Sequence, residues 1–207
     1  MYLEKPLQDY LDDLASAKPA PGGGSASALS AAMGASLASM VARLTLAKAD
    51  YAAVHAEIEQ IVQQTEQLRS RFQELMRADI EAYGNLSASF KLPRVTAEEK
   101  AARTQAVQER LVEAALVPLE LAEGTAQLVT HCKRLAEIGN KNVISDIATG
   151  TMLASGAGTG ASWMVRTNLQ AMKNQELVES LGERLSVALD TLSTASQDVI
   201  KIVGERA

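Results

Sequence analysis

Three consecutive glycines, Gly22, Gly23 and Gly24, stand between Pro21 and Ser25, directly ahead of a long stretch of small apolar residues. Glycine lets a ligand reach the backbone. The free amides of a helix's first turn, with its dipole, favour an anion or an electron-rich group. Ser25 is placed to cap such a helix. A capped turn between two helices explains the same run equally well. The run is neither a P-loop nor a dinucleotide fingerprint: no strand precedes it, and neither Lys-Ser/Thr nor a later glycine follows at the required place.

Asp79 is the more informative residue. Ile58, Ile61, Thr65, Leu68, Phe72, Leu75, Asp79 and Tyr83 recur at alternating three- and four-residue spacing, so a carboxylate occupies a slot on an apolar helical stripe. Such a group loses hydration and is paired with an arginine, protonated, or engaged in chemistry. Tyr83, one turn on, faces the same way. Downstream, Asn140, Asn142, Ser145 and Asp146 crowd donors and acceptors into a short span that suits a heteroaromatic ligand. Asp146 also fits the plainer part of a first-turn acid complementing a helix dipole, and Lys48 that of a cation at a helix C-terminus. His55 and His131 have no companions at ligand spacing, so no metal site is expected. Cys132 lies on an apolar stripe and reads as a buried structural thiol. It makes no nucleophile-base pair with His131, because adjacent helical residues diverge.

The elements that must position these residues are helices throughout, for strand and hairpin signals are nearly absent. A short first helix carries Leu7, Tyr10, Leu11 and Leu14 and ends at Pro19 and Pro21. The second runs from about Ser25 to Lys48, with Ala28, Ala31, Ala32, Ala35 and Ser39 allowing close approach of its neighbours. The third carries Asp79 and closes at Leu92-Pro93. Thr96 and Glu99 form a capping box that opens the fourth, which Pro118 is expected to kink. Gly139 and Asn140 precede a fifth helix, roughly Asn142 to Gln170. Its Gly150, Gly156, Gly158 and Gly160 predict tight packing, a bound ligand or a break near Gly156. The sixth spans about Gln175 to Val203. No linker divides residues 1–207, so the expectation is one all-α domain: an antiparallel up-and-down bundle of about five to six helices with one proline-kinked long helix.

Composition agrees. Of 207 residues 47% are hydrophobic but only 3% aromatic, which suits a bundle core of Ala, Leu, Val, Ile and Met. A net charge of -5 argues against a general nucleic-acid binder. The single cysteine points to no oxidising compartment. Residues 1–6 lack a basic segment followed by an apolar one, so no secretory signal and a cytoplasmic location are expected. The uncharged stretch Ala26 to Ala42 is Ala- and Ser-rich and short for a span, and reads as a buried helix rather than a membrane segment.

Together these blocks resemble the cyclodeaminase/cyclohydrolase family, which comprises the cyclodeaminase part of formiminotransferase-cyclodeaminase and stand-alone bacterial methenyltetrahydrofolate cyclohydrolases. The matching pieces are Pro19 to Ser25, Met40 to Thr45, Asp79 to Tyr83, Leu92-Pro93, Gly139 to Asp146 and Asn168-Leu169, in order over about residues 3 to 170. The resemblance implies a helical homodimer, with a folate site near the glycine run and close to the subunit contact, and no cofactor beyond the folate substrate. It implies that Gly22, Gly23, Gly24 and Ser25 hold the pterin or its reactive bridge. Asp79, Tyr83, Asn140, Asn142 and Asp146 would line the same cleft, joined by Ser145 and Asn168. One departure stands out: Met164-Val165 replaces an expected Asn-Val pair.

The implied reaction is hydrolysis of 5,10-methenyltetrahydrofolate to 10-formyltetrahydrofolate. Asp79, Asp146 and Lys48 are the expected catalytic groups. The alternatives are a formiminotetrahydrofolate cyclodeaminase, a lyase releasing ammonia, or a non-catalytic folate-binding bundle. Lys91, Arg94, Lys133, Arg134 and Lys141 are candidates for an anionic polyglutamate tail, each equally plausible as a solvated charge.

Overall fold

In the computed structural model, which describes residues 2–206, six α-helices follow one another: α1 (Leu7–Leu14), α2 (Gly23–Leu46), α3 (His55–Ser89), α4 (Ala97–Ile138), α5 (Ile144–Ala171) and α6 (Gln175–Arg206). Short 3-10 turns at Tyr2–Glu4, Ala49–Val54 and Lys141–Val143 join them, and no strand occurs among the described residues. The sequence signals for these connections are weak, since a single 3-10 turn carries no hydrophobic period to read.

Cross-helix contacts fix the directions. Ser39 bonds Thr65 at 2.8 Å while Gly24 meets Asp79, so α2 and α3 run antiparallel. Ser30 donates to Leu153 O at 3.0 Å while Gly23 packs on Met164, so α5 also runs antiparallel to α2. Glu123 with Arg184 and Lys133 with Asp198 set α4 and α6 parallel. The up-and-down bundle is therefore as the periodicity predicts, with α4 packed against α3, α5 and α6.

α2 sits between α3 and α5 because its inward residues are small. Ala28, Ala31, Ala35, Ala38 and Ala42 are all fully buried. At the α2–α5 contact, a β-carbon on Gly34 would lie 2.7 Å from the Gly150 carbonyl oxygen, so the two backbones touch. Gly158 is similarly crowded by Thr125 and Leu192. Tight packing thus accounts for these two glycines, and α5 continues through Gly156 without a break. Gly156 differs: among the described residues, nothing outside its own helical turn lies within 4 Å of its would-be β-carbon.

α4 runs on through Pro118, which is buried. Its start is as predicted, with Glu99 N–H donating to Thr96 Oγ1 at 3.2 Å and Thr96 N–H to Glu99 Oε2 at 3.1 Å. Cys132 is wholly buried, and burial pushes its thiol up to about 12. α2 passes the length and composition test for a membrane span, yet half of that stretch is buried against its neighbours.

Candidate active site

The glycine run forms the first turn of α2. Gly22 is the residue before the helix and Ser25 lies three places on, one turn inside rather than at the cap position expected for it. Ser25 Oγ still serves the turn, accepting the Gly22 N–H at 3.2 Å and donating to the Gly22 carbonyl at 3.0 Å. Its single proton is thereby committed, so Tyr10 of α1 is the donor in the 3.3 Å contact between the two hydroxyls. Ser25 is fully buried and Tyr10 only 2% exposed.

Asp79 projects from α3 onto this turn. Its whole carboxyl group lies within 2.7 Å of the place a β-carbon on Gly24 would occupy, so only glycine admits it. The Ser25 backbone amide donates to the carboxylate, which rests on the positive end of α2. No arginine, lysine or histidine pairs with it among the described residues, which removes the buried salt bridge from the alternatives. Burial raises the Asp79 pKa above the ordinary carboxylate value, and the Ser25 amide partly opposes the rise. Burial raises the Tyr10 phenol above its ordinary value, and the negative charge of Asp79 adds to the rise.

Asp79 forms one end of a cleft of about 420 Å³ between α3, α4 and α5. Tyr83 and Phe90 form one wall and Trp163, Met164 and Asn168 the other. Asn168 is anchored by donating to Ala114 O at 2.8 Å. Met164, where Asn was expected, lies with its thioether 3.8 Å from the place a β-carbon on Gly23 would occupy, and it lines the cleft. An apolar-walled cleft with a single lining carboxylate, itself held by a helix amide, suits a planar cationic heterocycle.

The second predicted group lies elsewhere. Asn140 is a corner residue at the opposite end of α2: its N–H donates to Thr45 Oγ1 at 3.0 Å and its side chain to Leu44 O at 3.4 Å. Its Oδ1 accepts the Asn142 N–H at 3.1 Å. Lys48, Asn142, Ser145 and Asp146 gather around this end, with the Lys48 carbonyl 3.2 Å from His55 Nε2. Twenty residues of α2 separate Ser25 from Thr45, roughly 30 Å at 1.5 Å per residue. Within one chain, Asn140, Asn142 and Asp146 therefore do not line the cleft that holds Asp79 and Tyr83. Sequence order alone could not reveal this, because α2 and α5 run past one another in opposite directions.

Two of the tail candidates are already engaged: Lys133 pairs with Asp198 at 2.6 Å, and Arg134 with Glu57 at 2.6 Å and Glu137 at 2.8 Å. Lys141 lies at the Asn140 end. Lys91 and Arg94 are exposed and follow Phe90, a lining residue of the cleft, in the chain. Tyr10, Phe90 and Trp163 were not singled out from sequence. Tyr10 looked like any apolar-face residue of a short helix, and no periodicity distinguishes a cleft wall from a core.

The family model of formiminotransferase-cyclodeaminase matches residues 6–187. The chain belongs to this family. The chain is 34% identical to a methenyltetrahydrofolate cyclohydrolase of Methylorubrum extorquens over 95% of each sequence. It is 31% identical to the formimidoyltransferase-cyclodeaminase of Rattus norvegicus, covering 96% of this chain but 37% of that longer protein. The solved formiminotetrahydrofolate cyclodeaminase of Thermotoga maritima superposes with a TM-score of 0.90 at 28% identity, covering 99% of this chain and 98% of the other. The helical architecture and family membership expected from the Pro19 to Ser25, Asp79 to Tyr83 and Gly139 to Asp146 blocks are thus met.

Proposed function

We propose that this family member is an enzyme hydrolysing 5,10-methenyltetrahydrofolate to 10-formyltetrahydrofolate. The observation that carries the reading is Asp79, a carboxylate held by the Ser25 amide of α2 and lining an apolar-walled cleft. The one-carbon bridge of the substrate is an amidinium, so a desolvated carboxylate beside it stabilises the cation electrostatically. Its raised pKa moves it toward neutrality, where it can accept a proton from the attacking water. Water adds to the bridge carbon and gives up one proton. The bond from that carbon to the pterin-side nitrogen then breaks as the added hydroxyl gives up its remaining proton to become the formyl oxygen, and the nitrogen takes a proton. The products are the formyl compound and one net proton, with no change of oxidation state and no cofactor beyond the folate. Asp146 is the second acid-base group and Lys48 an orienting cation in this reading.

Substrate enters with its pterin toward Gly23, Gly24 and Asp79 and its tail toward Phe90, with Lys91 and Arg94 at the mouth. Lys48, Asn142, Ser145 and Asp146 belong to the same reading only if a second copy supplies them, and we take the working unit to be a homodimer. An apolar outer face supports this, with Met33 at 46% and Trp163 at 63% exposure.

The cyclodeaminase activity named for the Thermotoga maritima neighbour is the second reading. Loss of methenyltetrahydrofolate absorbance on adding the purified protein tests the first, and ammonia release from formiminotetrahydrofolate the second. Tight folate binding with turnover of neither would establish a non-catalytic bundle and sink both.

A further inference from the structure

The cleft extends well past Asp79. On α3 its lining runs from Asp79 to Phe90, eleven residues or about 16 Å at 1.5 Å per residue, and on α5 from Trp163 to Ala171. α3 and α5 each pack closely on α2 and α4 but hardly on one another. The gap between these two walls is therefore set through their neighbours. At the Asp79 end that neighbour is α2, whose Gly23 and Gly24 meet Met164 and Asp79. At the Phe90 and Ala171 end it is α4.

Two side chains of α4 reach the two walls there. Arg103 donates to the Phe90 carbonyl, from Nε at 3.3 Å and from Nη2 at 3.1 Å. Gln108 donates from Nε2 to the Ala171 carbonyl at 3.1 Å and accepts the Lys173 N–H on Oε1 at 2.8 Å. A step of five positions turns an α-helix by about 140° beyond one full turn, which is why one side chain reaches α3 and the other α5. Both carbonyls stand at helix C-termini, where the backbone has no partner within its own helix. Satisfying them from α4 ties each wall to the helix between them.

The ties are unequal. Asn168 adds its own hydrogen bond to Ala114 O at 2.8 Å, so the α5 wall is held to α4 at both Asn168 and Gln108. Phe90 is held through Arg103.

We propose that Arg103 and Gln108 are positioning residues, which hold the two walls of the Asp79 cleft at the spacing a planar aromatic substrate needs. Neither lines the cleft. Arg103 acts through the Phe90 backbone and Gln108 through that of Ala171, about 16 Å along the cleft from Asp79. They govern binding and leave the chemical step alone. The inference rests on the folate reading for its substrate; the ties themselves do not.

Hydrogen exchange reads the ties without any ligand. Gln108→Ala should speed exchange over residues 168–173, and Arg103→Met over residues 86–91, each leaving the other wall as in wild type. Unchanged exchange at both walls overturns the proposal.

Kinetics read the consequence. Gln108→Ala should raise KM for 5,10-methenyltetrahydrofolate about fivefold, the weight of about one net hydrogen bond, and Arg103→Met about tenfold. In both, kcat should stay within about twofold of wild type. Arg103→Lys keeps a donor for Phe90 O and should bring KM back to within about twofold. A fall in kcat with KM unmoved, or an Arg103→Lys protein as impaired as Arg103→Met, overturns the positioning role. If wild type turns over neither folate, the hydrolase reading fails. The same fold-changes are then read as Kd for tetrahydrofolate, from quenching of Trp163, the chain's only tryptophan and a lining residue of the cleft. Unchanged Kd in both variants would overturn the proposal in that case too.

Discussion

The carboxyl group of Asp79 fills the space that a side chain on Gly24 would need, all of it within 2.7 Å of the absent β-carbon. The three glycines of the run are therefore not equivalent. A β-carbon on Gly22 meets nothing within 4 Å, and one on Gly23 makes an ordinary 3.8 Å contact with Met164.

Gly24→Ala should expel Asp79 from the α2 amides and lower kcat by about 100-fold or more, the scale of a lost acid-base group. Gly22→Ala should stay within a few-fold of wild type. Steady-state absorbance assays on the two variants, with circular dichroism to establish folding, decide the point. Equal losses at both positions would mean that the run works through backbone freedom and not through room for Asp79.

Asp79→Asn separates function from stability. Because burial raises the folded-state pKa above the unfolded value, the native state binds a proton more tightly. Wild-type stability therefore falls as pH rises from the unfolded toward the folded value, and stays reduced above it. The neutral asparagine escapes this penalty. Asp79→Asn should melt higher than wild type at pH 7, with the difference fading below the ordinary carboxylate range, while kcat falls about 100-fold or more. A gain of 1 kcal/mol moves Tm by about 2–4 °C in a chain of this size, which sets the calorimetric precision needed. A variant that melts lower at pH 7 would show that the carboxylate is stabilised by its surroundings.

The helices and Asp79 were both legible because each rests on local spacing. A 3.6-residue period marks a helix, and a carboxylate interrupting it stands out without any knowledge of the fold. The partner of Asp79 was not legible: Gly24 is 55 positions away, and its contact exists only because α2 and α3 run antiparallel. The division of the site was hidden for a like reason. Asn140 and Asp146 read as ligand groups from their types, but their distance from Asp79 is set by the length of α2. Tyr10 gave no signal at all, since its hydroxyl matters only through its contact with Ser25.

That contact yields a prediction. Tyr10→Phe keeps the buried ring and removes the donor to Ser25 Oγ, loosening the turn whose amide holds Asp79. The turn retains the two Ser25–Gly22 hydrogen bonds, so the loss should be moderate, about 3- to 10-fold in kcat for a neutral hydrogen bond worth ~1 kcal/mol. KM should change little. The pH–rate profile should shift its acid limb upward, because weakening the Ser25 amide contact removes the one influence that lowers the Asp79 pKa. An unshifted limb would confine Tyr10 to packing.

Cations at the cleft mouth and cations in ion pairs should respond differently to tail length. Lys91→Ala with Arg94→Ala should raise KM for polyglutamylated substrate several-fold and leave the monoglutamate KM near wild type. Lys133→Ala removes a pair already satisfied by Asp198 and should alter neither, costing at most about 1 kcal/mol of stability. Comparing KM across tail lengths decides this, and equal effects from both sites would show that only general electrostatic attraction is at work.

Asn140→Ala probes the far end of α2. Its side chain is 4% exposed and spends its amide on Leu44 O and its carbonyl on Asn142 N–H. Removing it leaves the part-buried Leu44 carbonyl and Asn142 N–H without these partners, which costs about 1 kcal/mol, or roughly 2–4 °C in Tm at this chain length. Asn142 is exposed and is held by that same carbonyl only through its backbone, so Asn142→Ala should leave melting unchanged. If the corner serves only to fold the chain, Asn140→Ala will lower Tm with KM intact, and Asn142→Ala will raise KM with Tm intact. The reverse outcome, a stable Asn140→Ala protein that binds folate weakly, would make Asn140 a ligand group and its hydrogen bonds to α2 incidental.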